Sequence, residues 1–141
     1  MNRIATIALV ALATLASTAN RASAQAQIIA ESNVSFSFHV NGVTLPAGHY
    51  VVVSHSPNLL EVRNTNRPSA AAFVLANDSD KAKLDSRNKM VSEQYGNQYF
   101  LHEVSYPAAG MDLVVAPSSE EKRVAVELAK ANGKPVLVAL K

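Results

Sequence analysis

The amino-acid sequence predicts a mainly β protein: a single antiparallel β-sandwich or barrel-like domain with one carboxy-terminal α-helix and a final strand. Three observations predict it. Apolar and polar residues alternate with a period of two through most of the chain, turn-forming residues interrupt that alternation about every ten residues, and one capped segment of helical period follows Pro117. This spacing indicates a sandwich or barrel rather than a parallel sheet.

The first residues address the compartment. Met1-Asn2-Arg3 is a short positive leader, Ile4 to Ala16 is an unbroken run of apolar residues and threonine, and Ala22-Ser23-Ala24 supplies the small residues a signal peptidase accepts. Residues 1–24 therefore read as a secretory signal peptide cut between Ala24 and Gln25, and 25–141 as one exported domain, periplasmic or extracellular. The apolar run falls short of the ~20 residues a membrane helix needs, and no later segment is comparable, so no membrane span is expected in the mature chain. The n-region has no twin-arginine pair, which favours export in the unfolded state. The absence of cysteine excludes a lipid-attachment thiol and any disulfide, leaving the fold to its core.

Charge narrows the partners. The chain carries 13 Lys and Arg against 11 Asp and Glu, and Arg3 and Arg21 depart with the signal. A balanced domain without a basic cluster gives no footprint for nucleic acid or for an anionic membrane surface. Its length of about 117 residues suffices for one core.

Along the mature chain Val34, Phe36, Phe38 and Val40 alternate with Ser35, Ser37 and His39, the pattern of a half-buried strand. Asn41-Gly42 tolerates the positive φ of a two-residue hairpin turn. In "TLPAGHYVVV", Pro46 and Gly48 suit a β-corner with no ligand involved, and "HYVVVSH" is apolar on both parities, which places it inside the sheet. "LLEVRN" and "AAAFVLA" follow as strands after Ser56-Pro57-Asn58 and "NTNRPS". The run 76–89 is a polar loop. Its Asp78, Asp80 and Asp85 lack the glycine and glutamate of an EF-hand, and Lys81, Lys83, Arg87 and Lys89 among them would repel a cation.

Gly96-Asn97 predicts a second hairpin, with strands at about 89–95 and 98–105. Here the chain resembles a family of small exported acidobacterial proteins of unknown function. The resemblance rests on "VSFSFHVNGVTLPAGHY", on "YGNQYFLHEV" and on a charged carboxy-terminal helix following a proline. It implies a β-rich fold and brings no activity, ligand or catalytic residue.

The helix is expected over 118–132. Ser118 and Glu121 have capping-box spacing, and Asn132-Gly133 with Pro135 beyond supplies a stop. Val124, Leu128 and Ala131 share one face, while Glu120, Arg123, Glu127 and Lys130 share another. "PVLVALK" returns to the sheet as the last strand.

Chemistry-bearing residues are sparse. No pair among His39, His49, His55 and His102 has the helical spacing of a zinc site, and His49 and His55 lie roughly 20 Å apart along one strand, so no metal or other cofactor is expected. Without cysteine or a Gly-x-Ser-x-Gly elbow, no catalytic set is assigned. The candidate polar site is Glu93 with His102. A two-residue loop at Gly96-Asn97 pairs Tyr95 with Gln98, Glu93 with Phe100 and Val91 with His102, placing these and Val104 on one face. Met90, Ser92, Gln94, Tyr99, Leu101 and Glu103 take the other. If the first face is buried, Glu93 and His102 are diagonal neighbours that need each other or a water.

Two function classes remain. The first is an exported non-enzymatic domain, binding or structural at the cell envelope, whose partner is a surface component, a small ligand or a protein. The alternative is a small-ligand carrier or an enzyme on the same scaffold.

Overall fold

The computed structural model describes residues 26–79 and 87–140. The segment 1–24, the Ala24–Gln25 junction and the middle of the polar run lie outside the described residues. Ten strands form one sheet: β1 (Gln27–Val34), β2 (Phe38–Val40), β3 (Val43–Leu45), β4 (Gly48–Ser56), β5 (Leu59–Asn64), β6 (Ala71–Asp78), β7 (Lys89–Tyr95), β8 (Gln98–Tyr106), β9 (Met111–Val115) and β10 (Val136–Leu140). A 3-10 turn, Pro107–Ala109, separates β8 from β9, and α1 (Ser119–Lys130) separates β9 from β10. The mainly β class with one late helix and a last strand is thus the observed architecture.

The sheet is open and folded over on itself. One half runs β1-β4-β5-β6 and the other β9-β8-β7-β10, with the β2–β3 hairpin beside β9 on β8. The hinge between halves is β6, whose Ala71–Leu75 pairs with β5 while Ala76–Asp78 pairs with β9. Among the described residues only the β2–β8 contact, His39 beside Phe100, is parallel. The fold-over sets β1 against β7, β8 and β10. Between the halves lie Phe38, Tyr50, Leu60, Val62, Met90, Leu101 and Val104, each at most 2% exposed. Burying side chains of this size stabilises by about 1.5–3 kcal/mol each.

Local chemistry explains the turns. Asn41 and Gly42 both have positive φ, 47° and 81°, and close the β2–β3 hairpin between Val40 and Val43. At the second hairpin only Gly96 is positive, with φ 62°, and Tyr95 pairs with Gln98 as expected. The "LPAGHY" corner is structural. The Tyr50 hydroxyl, buried edge-on against Phe38, donates to the Pro46 carbonyl at 2.6 Å. At Gly48 a Cβ would collide with the side-chain amide of Asn64, whose Oδ1 accepts from the Asn66 and Arg67 amides at 2.9 Å each. No ligand is needed to account for the motif.

Three details depart from the sequence reading. The alternating run Val34–Val40 is two strands, because the chain crosses from one half-sheet to the other between Val34 and Phe38; the inward residues stay inward, so the period survives the break. Phe36 in that crossing stacks on Tyr99 at 3.9 Å. The polar loop begins later than residue 76 and ends before 89, since Ala76–Asp78 gain backbone partners from β9 whatever their polarity, and Lys89 opens β7. Val91 pairs with Glu103 rather than His102, because a bulge makes His102 the extra residue of β8. Val104 therefore turns inward with Met90, Ser92 and Leu101. As expected, β10 returns to the sheet as the last strand, at an edge and with Val136 and Leu137 exposed.

The helix forms as its caps dictate. Ser118 is the N-cap and its Oγ accepts from the Glu121 amide at 3.1 Å, which satisfies one otherwise unpaired N–H. At the other end the Gly133 amide donates to the Leu128 carbonyl at 2.9 Å, and the Leu128 side chain fills the space a Cβ at Gly133 would take. To connect β9 with β10 the chain must pass β8 and β7, and α1 does so across their outer face. Val124, Ala125 and Leu128 pack there on Tyr95 and Phe100.

Candidate functional site

The outer face of the β7–β8 hairpin under α1 holds the densest set of ionisable groups. Alternation along β7 points Glu93 and Tyr95 to this face, and Phe100 and His102 meet them from β8. The predicted pair is real: His102 Nδ1 lies 3.4 Å from Glu93 Oε2, with side chains 28% and 19% exposed. Its surroundings were not legible in the sequence. Tyr95 Oη donates to Glu121 Oε1 of α1 at 3.3 Å, and Glu121 is 4% exposed. The available signals were the shared parity of Glu93 and Tyr95 and the position of Glu121 as third residue of the capped helix.

Electrostatics follow from burial. Desolvation raises the Tyr95 phenol well above its ordinary range, with Glu93 and then Glu121 adding to the effect. Desolvation likewise raises Glu121; the Ser118 cap and the Tyr95 hydroxyl oppose it, the Glu93 charge reinforces it, and His102 opposes it. A phenol that keeps its proton and a carboxyl inclined to hold one can share hydrogen bonds, but neither reaches solvent to meet a substrate.

His49 and His55 are apart from this set and from one another, His39 borders it, and each of the three faces a glutamate. His39 stacks on Phe100 at 4.7 Å and points to Glu120 at 3.8 Å. His49 meets Glu31 at 3.0 Å and Thr65 Oγ1 at 3.2 Å. His55 meets Glu61 at 2.7 Å, and Arg63 approaches the other oxygen of that carboxylate at 3.5 Å. Among the described residues no three His, Asp or Glu side chains converge as a metal site would require.

A second region has a histidine–glutamate pair of its own, His55–Glu61, and a different property. On the outer face of β1-β4-β5-β6 the register aligns Ile28, Val53, Glu61 and Phe73 in one row and Leu59 with Leu75 in the next. Ile28 is 56%, Phe73 53% and Leu75 67% exposed. The His55 ring tilts against Phe73 at 5.5 Å. At the end of this half, Gln27, Ser54, His55, Ser56, Pro57 and Met111 line a shallow depression of about 340 Å³.

Among the described residues no helix is long and apolar enough to cross a membrane. Comparisons with known protein families, with characterised proteins and with solved structures return no match for this chain.

Proposed function

We propose that the chain is an exported, non-enzymatic domain of the cell envelope that presents the outer face of β1-β4-β5-β6 to a surface component or partner protein. One observation carries the reading: Ile28, Phe73 and Leu75 stand in solvent on a single sheet face, where isolated apolar side chains would be unremarkable but an aligned patch marks an interaction surface. The side-chain chemistry supports the non-enzymatic side, because the densest polar cluster is engaged beneath α1 and its members already partner one another. The carrier alternative draws its support from the depression beside His55, since the space between the half-sheets is filled by core side chains. Export rests on the signal-like residues 1–24, and kinship with small exported acidobacterial proteins on the motifs quoted above.

Native mass spectrometry of the protein recovered from its own periplasm or medium tests both parts. The expected species begins at Gln25 and carries a macromolecular partner that Phe73→Lys with Leu75→Lys releases. A mass that still includes residues 1–24 sinks export. A retained small molecule unaffected by those substitutions replaces the proposal with the carrier.

A further inference from the structure

Beneath α1, Glu121 is 4% exposed and, among the described residues, has no ion-pair partner. The Tyr95 hydroxyl donates to Glu121 of α1 at 3.3 Å, and Glu93, two residues before Tyr95 on β7, lies on the same strand face. With Glu121 ionised, its buried charge meets a neutral hydroxyl rather than a cation, and the Glu93 charge on the same face opposes it. With Glu121 protonated the buried charge is gone and the contact with Tyr95 keeps its hydrogen bond.

The helix has little else to hold it. Its apolar contact is confined to Val124, Ala125 and Leu128 on Tyr95 and Phe100. The other charged groups facing this interface are His102 of β8, beside Glu93, and His39 of β2, beside Glu120 of α1. A proton on either histidine sets a cation against a glutamate at the same contact. Lys122 and Arg123 lie on the exposed side of α1, the latter engaged with Glu127 at 3.2 Å.

We infer that α1 is a pH-sensitive strap, seated on the β7–β8 hairpin by a proton held at the Glu93–Tyr95–Glu121 cluster and loosened as that proton leaves. The sign is fixed. Burial raises Glu121 in the seated state above its value in an unseated, solvated helix, so the contribution is full below the ordinary carboxyl range and is lost as pH rises through the raised value. Release uncovers Tyr95, Phe100 and the His39 ring without disturbing the core between the half-sheets.

Amide hydrogen exchange of α1, corrected for the intrinsic rate at each pH, reads the seating directly. Protection of the Val124–Leu128 amides is expected to fall roughly tenfold or more between pH 5 and pH 8 while amides of β4 and β5 hold theirs. Glu121→Gln, a neutral isostere, should keep α1 equally protected at both. Equal protection of α1 at the two pH values in the wild-type protein overturns the strap. So does a fall in Glu121→Gln as large as in wild type. Should that variant not fold, Tyr95→Phe, which removes the O–H that meets Glu121, must change the size of the fall; an unchanged fall overturns it equally.

Discussion

On the outer side of the β7–β8 hairpin, Phe100 is 2% exposed and Tyr95 8%; on the outer side of β6, Phe73 is 53% exposed and Leu75 67%. Composition does not separate the two faces, since each mixes aromatic and aliphatic residues with a histidine–glutamate pair, His102–Glu93 on one and His55–Glu61 on the other. Connectivity does. Strands β4, β5 and β6 follow one another as neighbours, so their links turn at the sheet rim and never pass over its face. Strands β9 and β10 lie on either side of β8 and β7, so the link between them must cross, and the crossing segment is the helix that buries Phe100. The covered face has become an interface within the chain; the other is free for one between chains.

Truncating the covered aromatic should have the largest effect. Phe100→Ala removes the ring on which Tyr95, His39 and Val124 converge and is expected to cost about 3–5 kcal/mol in urea unfolding. A cost below ~1 kcal/mol would mean that α1 does not seal this face. Next comes Ser118→Ala, which removes the acceptor of the Glu121 amide and should cost about 1 kcal/mol, read as a lowered urea midpoint at unchanged slope. An unchanged midpoint would place the start of the helix elsewhere. The Glu93→Gln and His102→Gln pair should each cost on the order of 0.5–1 kcal/mol, with the double variant less costly than the sum, because the partners are half-buried rather than exposed. Strict additivity would detach His102 from the cluster. The smallest effect belongs to the bare face, where Phe73→Ala should stay within ~0.5 kcal/mol of wild type. If it rivals Phe100→Ala, the two faces are not finished differently after all.

Much of the fold was legible because turn chemistry and period act locally. Gly96-Asn97 placed β7 and β8 within a residue of their observed ends, and Ser118 and Glu121 placed the cap of α1. What escaped depended on partners distant in sequence. The bulge at His102 carries no residue signature, β9 is too short to stand out, and Ala76–Asp78 become strand only because β9 lies beside them. The site divided in the same way. Glu93 and His102 could be set side by side from a two-residue turn, whereas Tyr95 and Glu121 stand 26 positions apart and meet only once α1 has crossed the hairpin.

The contact of Gly48 with Asn64 has a consequence for descent. Enlarging residue 48 forces the Asn64 amide aside, yet the same side chain holds the turn at Asn66 and Arg67, so the two positions cannot drift independently. Any relative that carries a side chain at 48 should also have replaced Asn64 and reshaped the segment that follows it. Glycine and asparagine sixteen residues apart, with a tyrosine two after the glycine, are therefore expected to persist or change together in any relative.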